Sequence, residues 1–260
     1  MTGARIPLGT PVGLRPDAET AWQRHRRNWL VSGIGVEGQA RLHAARVLVV
    51  GAGGLGSPVL LYLAAAGIGR LGIADFDLVE VNNLARQVLH GHGDVGDAKS
   101  ASARRHLLRL DPDLRVTELG RVTSEILDGQ RNEWDLIVEC SDNFPTKYLV
   151  GDWCERTGKP LVWGTVVDMV WQVSDFWSDP PQGWPVTSLR GLHARQPAPR
   201  ETPTSTEVGV LGPVVGQAGC TMATEAVKLI TGVGTPLIGQ LLYGDARRNR
   251  YETLTFMGGS

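Results

Sequence analysis

The chain has 260 residues, of which 42% are hydrophobic, and its 26 lysine and arginine residues are balanced by 27 aspartate and glutamate residues. This length suits one α/β domain around a single core. The near-neutral charge argues against a nucleic acid or an anionic membrane as the partner, because no net field attracts a polyanion.

The cysteines and the apolar runs of the sequence indicate the cellular compartment of the protein. The three cysteines are widely spaced and form neither a CxxC pair nor a disulfide framework. The first 20 residues contain proline and glycine where a signal peptide needs a continuous apolar stretch, and no run reaches the roughly 18 to 20 apolar residues of a membrane span. We therefore expect a cytoplasmic protein.

The first half of the chain alternates predicted strands and helices. Helical stretches at both ends of residues 21–45 are followed by a β-branched strand, "RVLVV", an apolar helix, "SPVLLYLAAAG", and a second strand, "RLGIADFD". A helix is predicted over residues 99–110, then a strand in "LRVTELG" and another in "EWDLIVECSD". The sequence "TKYLVGDWCERTG" predicts the next helix.

The sequence of the second half predicts strands in "PLVWGTVVDMVWQVSDFW" and, over residues 178–206, a long loop or an ordered lid. It then predicts a small-residue helix over residues 212–232 and a closing hairpin in "GQLLYGDARRNRYETLTF". Together these elements predict an α/β, Rossmann-like fold with a mostly parallel central sheet and a C-terminal antiparallel extension. In such a sheet, ligands bind at the carboxyl ends of the strands.

A glycine-rich turn, "VVGAGGLGS", stands between the first strand and its helix. Gly51, Gly53 and Gly56 fit the pattern G-x-G-x-x-G, and Asp75 lies nineteen positions beyond Gly56. Glycines let backbone N–H groups approach a phosphate at a helix N-terminus, and an acid at this distance accepts from a ribose hydroxyl. The turn therefore predicts nucleotide binding, although the same glycines could serve only helix–strand packing.

A cluster of polar residues then distinguishes ATP from NAD. Asn83, Arg86, Gln87 and Lys99 follow the acid, and a dinucleotide with two phosphates and a neutral ring has no use for them. A triphosphate does, since arginine binds phosphate as a fork and lysine as a point charge. Asp142 ends a later strand and could hold magnesium through its oxygens. Any one of these residues alone could be a solvated charge or a helix cap.

Five blocks appear in the order of a known family: "GAGGLGS", "ADFDLVEVNNLARQ", "GDAKS", "ECSDN" and "TEVGVLGPVVGQAGCTMATEAVKLITG". Through them the chain resembles the ThiF/MoeB/HesA enzymes, bacterial relatives of ubiquitin-activating enzymes, over residues 24–256. The resemblance implies a flexible leader over residues 1–22, a single adenylation domain over residues 23–257 with a mobile crossover loop at 178–206, and a flexible tail at 258–260.

The resemblance also implies an activity. Members use Mg-ATP to adenylate a carboxyl group, typically the C-terminal glycine of a ubiquitin-like sulfur carrier protein, and release pyrophosphate before later thiocarboxylate formation. The implied nucleotide-binding residues are Gly51, Gly53, Gly54, Gly56, Asp75, Asp77, Asn83, Arg86, Gln87, Lys99 and Asp142. The implied catalytic residues are Arg27, Arg86, Lys99 and Asp142, and Asp142 is also the implied magnesium ligand.

The segment "RHRRNWL" resembles the part of the family that reaches into the neighbouring subunit's site, and Arg27 is the matching arginine. The resemblance thus implies a homodimer with a composite site. Without it, Arg24, Arg26 and Arg27 read as an exposed basic face.

Cysteines are missing at two places where the family often has them. Many members bind a structural zinc through two CxxC pairs, but here Pro185 and Ser188 stand at the first pair and the tail has no cysteine, so we expect no zinc. Ser205 occupies the usual place of a loop cysteine, and without an adjacent base it is a poor nucleophile. Cys220, within the small-residue helix, is interpreted as a core residue.

The acyl substrate stays open at this point. A sulfur carrier protein is favoured, and the alternative is a peptide C-terminus or a small carboxylate in a biosynthetic pathway, with a groove built from Trp163, Trp171, Trp177 and Trp184. These tryptophans could equally pack in the core or on a sheet face. An NAD-dependent oxidoreductase and a degenerate, non-catalytic relative are the hypotheses from other classes.

Overall fold

The computed structural model describes residues 4–8, 19–198, 201–203 and 205–256, with the side chains of 19–22 and of 205–206 outside that description. The predicted leader and tail therefore lie largely outside the described residues, as does the side chain of Ser205. No helix among the described ranges is long and apolar enough to cross a membrane.

Eight strands form one sheet in the described part of the chain. They are β1 (Arg46–Val50), β2 (Arg70–Ala74), β3 (Arg115–Leu119), β4 (Leu136–Glu139), β5 (Leu161–Val167), β6 (Val170–Phe176), β7 (Gln240–Asp245) and β8 (Arg250–Thr255). Their order is β3-β2-β1-β4-β5-β6-β7-β8. The first five are parallel and the last three pair antiparallel, which confirms the predicted fold class.

Helices connect and cover the sheet. They are α1 (Glu19–Trp29), α2 (Gly35–Ala44), α3 (Gly56–Ala66), α4 (Lys99–Leu110), α5 (Ser124–Gly129), α6 (Phe144–Thr157), α7 (Leu189–Leu192), α8 (Ser205–Val208) and α9 (Gly212–Thr231). The short helices α5 and α7 were not predicted from the sequence. α5 begins at Thr123, whose hydroxyl accepts the N–H of Ile126, and it is too short to show a helical period.

The two faces of the sheet bury two hydrophobic clusters, and β1 contributes to both. Val47 and Val49 belong to the larger cluster with α3 and α9, whereas Leu48 and Val50 belong to the smaller one with α6. Such alternation follows from the period of two along a strand. Because β1 is buried on both faces, the glycine turn that follows it starts from a fixed position at the centre of the sheet.

Helix α9 approaches its neighbours through small residues. A Cβ on Gly219 would lie 2.3 Å from Pro58 of α3, a distance that only glycine allows. This close packing presses α3 against α9 and fixes the N-terminus of α3 at the carboxyl edge of the sheet. The described part of the crossover loop is also anchored, since Thr187 and Leu189 are buried.

Candidate functional site

A cavity of about 1310 Å³ opens at the carboxyl ends of the parallel strands. Of the eleven residues implied to bind the nucleotide, nine line it, namely Gly51, Gly53, Gly54, Asp75, Asp77, Arg86, Gln87, Lys99 and Asp142. Residues of the crossover loop, among them His193, Arg195 and Glu201, close its far side. The site thus gathers groups from segments more than 100 positions apart in the chain.

Asp75 holds the glycine turn in place. Its Oδ2 accepts the N–H of Ala52 at 2.8 Å, and its Oδ1 accepts the N–H of Asp77 at 2.9 Å. Gly51 has a φ of 95°, a conformation that suits glycine, and a Cβ there would lie 3.0 Å from the Cys140 carbonyl. The turn is therefore preformed, and Asp75, which lines the cavity, keeps acceptor capacity beyond these two bonds.

His90 supports the same turn from behind, and sequence reasoning missed it. Its Nε2 lies 2.9 Å from the carbonyl oxygen of Ala52, and its Nδ1 lies 2.8 Å from the hydroxyl of Ser102. Because a carbonyl only accepts, Nε2 carries the proton and donates. Burial lowers the pKa of His90, so the neutral ring accepts from Ser102 at Nδ1. The only sequence signal was a histidine directly after the apolar pair Val88 and Leu89.

The two cations of the site come from a turn, which carries Arg86, and from the start of helix α4, which carries Lys99. Lys99 is buried at the start of α4, and its Nζ lies 3.1 Å from Asp77 Oδ2. The N–H of Lys99 also donates to the carbonyl of Asp77 at 2.9 Å. Arg86 is half-buried and donates from Nη1 to the carbonyl of Asn82 at 3.2 Å. Both cations therefore stand beside the glycine turn with donors left over for an anion.

Gln87 lies beneath the glycine turn with an unused acceptor. It is 4% exposed, and its Oε1 has no hydrogen-bond partner among the described residues. A Cβ on Gly53 would lie 3.6 Å from its Nε2. A buried polar atom without a partner is uncommon in a native protein and indicates a site where a ligand or water completes the bonding.

Asp142 is exposed at the cavity edge, just after β4. No ion pair or hydrogen bond to its side chain is found among the described residues. Within those residues, no three His, Cys, Asp or Glu side chains gather as a metal cluster. A lone carboxylate fits magnesium that is otherwise bound by phosphate oxygens and water, since Mg²⁺ is usually held by one or two carboxylates plus substrate phosphates.

Two buried charges beneath Asp142 were also missed. Glu139 and Lys147 are 0% and 3% exposed, and Lys147 Nζ lies 2.6 Å from Glu139 Oε2. The sequence did contain a signal for a buried ion pair. Glu139 directly follows the apolar run "LIV", and Lys147 lies in the first turns of a helix with buried neighbours. A charge in such a position needs a partner of opposite sign.

The far end of the cavity is closed by the crossover loop. The single proton of the Tyr148 hydroxyl is shared by two loop carbonyls, with the oxygen 3.0 Å from that of His193 and 2.5 Å from that of Arg195. Trp163 packs against His193 with ring centroids 5.7 Å apart. Arg195 lowers the pKa of Glu201 to about 2 through a direct ion pair. The loop is thus tied to α6 and to itself.

The cysteine nearest the cavity is not a nucleophile. Cys140 lies between Glu139 and Ser141 and is buried. Burial, followed by the charge of Glu139, raises the pKa of its thiol well above its usual value. Since the thiolate is the reactive form, this cysteine is inert at neutral pH. Cys220 on α9 is partly buried, and burial raises its pKa as well.

Three residues implied by the resemblance lie away from the cavity lining. A Cβ on Gly56 would lie 1.9 Å from the Gly51 carbonyl oxygen, so this glycine permits packing of α3 onto the turn. Asn83 Oδ1 accepts the N–H of Glu80 at 3.1 Å and serves its own turn. Arg27 is exposed on α1. The nucleotide-contacting roles of these residues stay predictions.

The positions that replace the zinc cysteines have other contacts. The Ser188 hydroxyl accepts the N–H of Gly191 at 3.2 Å and caps α7. Pro185 packs near Gly239, where an added Cβ would lie 3.1 Å away. The expectation of a zinc-free protein stays a prediction.

Comparison with known proteins gives the family. A model of the ThiF family matches residues 25–258. The chain is 46% identical over 98% of its length to the probable adenylyltransferase/sulfurtransferase MoeZ of Mycobacterium tuberculosis, and it spans 64% of that protein's length. It is 44% identical over 89% of its length to the sulfur carrier protein adenylyltransferase of Thermus thermophilus, covering 86% of that protein.

A third relative supports the same family, and a solved structure supports the same fold. The SAMP-activating enzyme E1 of Haloferax volcanii is 40% identical over 91% of this chain and 86% of its own length. The crystal structure of E. coli MccB with MccA-N7isoASN has a TM-score of 0.79 at 22% identity, covering 92% of this chain and 72% of that chain. At that identity the likeness shows the fold alone.

Proposed function

The chain belongs to the ThiF family, and from that premise we propose that it is an ATP-dependent adenylyltransferase. It activates the C-terminal glycine of a ubiquitin-like sulfur carrier protein as an acyl-adenylate and releases pyrophosphate. The observation that carries the proposal is the convergence of the glycine turn, Asp75, Arg86, Lys99 and Asp142 on one cavity.

Adenylation requires cations that neutralise the negative charges of the two reactants. A substrate carboxylate oxygen attacks the α-phosphorus, a P–O bond forms, and the bond to the leaving pyrophosphate breaks. Two anions meet in this step, so prearranged cations lower the barrier. Arg86 and Lys99 stand beside the turn in that role, and no general base is needed, because a carboxylate is already deprotonated at neutral pH.

Asp142 is the residue that would hold magnesium. When bound, the metal would neutralise charge on the phosphates. Asp75 would orient the ribose and Gln87 would complete its bonding on the bound nucleotide. The end beneath the crossover loop, with Trp163 and Tyr148 in its walls, would take the extended glycine tail of the carrier.

Further parts of the proposal follow the family. A homodimer would bring Arg27 of one copy to the site of the other, and its exposure on α1 leaves it free for that contact. The names of two relatives, a sulfur carrier protein adenylyltransferase and a SAMP-activating enzyme, support a small carrier as the substrate. We place the domain at residues 23–257 and the enzyme in the cytoplasm.

The test is ATP–pyrophosphate exchange with magnesium. Purified protein is assayed alone, with a ubiquitin-like carrier that ends in Gly-Gly, and with a panel of peptides and small acids. Exchange with the carrier alone supports the proposal. Exchange with only a peptide or small acid would move the protein to the biosynthetic alternative, and a thermal shift with NAD but not Mg-ATP would favour the oxidoreductase.

Variants sharpen the assay. Arg86→Ala should lower the exchange rate by about 100-fold or more, as expected for loss of a prearranged group that stabilises transition-state charge. Ser205→Ala is the matched control, because the proposal gives that hydroxyl no covalent role. A severe loss of exchange in Ser205→Ala would contradict adenylation without a covalent intermediate.

A further inference from the structure

The loop that presents Asp142 rests on a buried ion pair between Glu139 and Lys147, and Lys147 also lies in the lining of the cavity. Lys147 Nζ donates to Glu139 Oε2 at 2.6 Å and to the carbonyl of Gly164 at 2.7 Å. The second oxygen of Glu139, Oε1, accepts the N–H of Ser141 at 2.8 Å. We refer to Glu139, Lys147 and these two bonded backbone groups as the clamp.

The clamp joins the elements that surround Asp142. Glu139 is the last residue of β4 and pairs with Trp163 in β5, the residue before Gly164. Lys147 lies in the first turns of α6. The ammonium group therefore ties the ends of two strands to a helix N-terminus, and its position over the Trp163 ring at 5.6 Å fixes it further.

Asp142 is held through its neighbours on both sides. Ser141 is bound to the clamp through its N–H, and Asn143 caps α6 by accepting the N–H of Thr146 at 2.9 Å. The Asp142 side chain has no bond of its own in the described part of the chain. The position from which its carboxylate projects is consequently set by the backbone on either side, and one of those sides depends on the clamp.

We propose that Glu139 and Lys147 are positioning residues that fix the magnesium-binding carboxylate of Asp142. The inference rests on the proposed function, since it takes Mg-ATP as the ligand. Removal of a group that orients a metal ligand typically costs 10- to 100-fold in metal affinity. A buried pair with no such role would affect only folding stability when one partner is removed.

The test is Lys147→Met, read by calorimetric binding of a non-hydrolysable ATP analogue over a series of magnesium concentrations. We expect the magnesium concentration at half-maximal binding to rise about 10-fold, while binding at saturating magnesium stays as in the wild type. Lys147→Arg should restore the wild-type dependence, since a guanidinium can bond the same carboxylate.

Lys228→Met is the matched control. Lys228 pairs with the buried Glu225 on α9, away from the cavity lining, so it loses a similar bond without touching the clamp. It should melt at a lower temperature with an unchanged magnesium dependence. An equal shift in both variants, or none in Lys147→Met, would refute the clamp's role.

Glu139→Gln serves if Lys147→Met does not fold. An amide has one acceptor oxygen, so it keeps the bond from Lys147 or the bond from Ser141 and loses the other. The same upward shift in magnesium requirement is expected, and a wild-type dependence would overturn the inference. Because the binding titration contains no acyl substrate, absence of exchange with every substrate would count against the proposed function and not against the clamp.

Discussion

Alanine substitutions at two glycines of the same turn should affect different properties of the protein, stability at one position and nucleotide binding at the other. The pattern G-x-G-x-x-G treats Gly53 and Gly56 alike, but the structure separates them. A Cβ on Gly56 would lie 1.9 Å from the Gly51 carbonyl oxygen, whereas a Cβ on Gly53 would lie 3.6 Å from its nearest neighbour, Gln87 Nε2. We expect Gly56→Ala to affect folding and Gly53→Ala to affect nucleotide binding.

The magnitude at Gly56 follows from the distance. Real Cβ contacts essentially never fall below 3.0 Å, so the turn and helix α3 must separate by at least 1.1 Å, the difference between 3.0 and 1.9 Å. Overpacking of this kind costs about 1–3 kcal/mol, and the better helix propensity of alanine offsets at most about 1 kcal/mol. We expect Gly56→Ala to lower the free energy of unfolding by about 2 kcal/mol.

Gly53→Ala should fold normally, because 3.6 Å is an ordinary contact distance, and its free energy of unfolding should stay within about 0.5 kcal/mol of the wild type. Its methyl group would stand where the backbone approaches phosphate, so ATP should bind at least about tenfold more weakly, or 1.4 kcal/mol. Urea unfolding followed by tryptophan fluorescence and calorimetric binding of an ATP analogue measure the two effects. Wild-type stability in Gly56→Ala, or wild-type ATP affinity in Gly53→Ala, would refute the reasoning.

Two further predictions concern other buried groups. Burial and the charge of Glu225 raise the pKa of Asp175, so the folded protein keeps a proton that the unfolded chain loses near pH 4, and this group's contribution to stability falls as the pH rises through that interval. The free energy of unfolding of Asp175→Asn in urea, relative to that of the wild type, should therefore increase as the pH is raised above about 4, and a difference that does not change with pH would contradict this. The indole N–H groups of Trp163 and Trp134 both lack a partner among the described residues, but only Trp163 lines the cavity. Trp163→Phe should raise the KM of the acyl substrate about threefold to tenfold, with ATP affinity unchanged, whereas Trp134→Phe should alter only the melting temperature; equal KM values in the two variants would count against a substrate contact at Trp163.

Local sequence signals predicted most of the fold. The continuous β-branched run "RVLVV" and the glycine after "SPVLLYLAAA" are signals that each lie in or directly beside the element they predict, and both elements form where expected. The helix over Lys99–Leu110 also has its predicted bounds. Helix α5 was missed because its six residues are too few to show a period, and its start depends on one hydrogen bond from Ile126 to Thr123.

The candidate site was predictable only in part, because some roles depend on contacts between distant segments. Asn83 follows Asp75 at a suggestive distance in the sequence, yet its side chain bonds within its own turn. His90 had no motif to identify it, since its partners Ala52 and Ser102 are 38 and 12 positions away. The structural role of Glu139 likewise depends on its ion pair with Lys147, which forms only in the folded protein. The role of a residue in the site was therefore predictable only where a local sequence motif identified it.

The pairing of Lys99 explains how a site built for a polyanion folds without one. A buried ammonium group is unfavourable unless a partner offsets its desolvation, and Lys99 is 7% exposed. Asp77 provides that partner at 3.1 Å, and the side chain of Asp77 is 54% exposed. The carboxylate can therefore turn to water while the ammonium stays in place, held by a helix start whose N–H is bonded to the Asp77 carbonyl. A phosphate arriving at the glycine turn would exchange one anionic partner of Lys99 for another, so the cation needs no reorganisation before it acts.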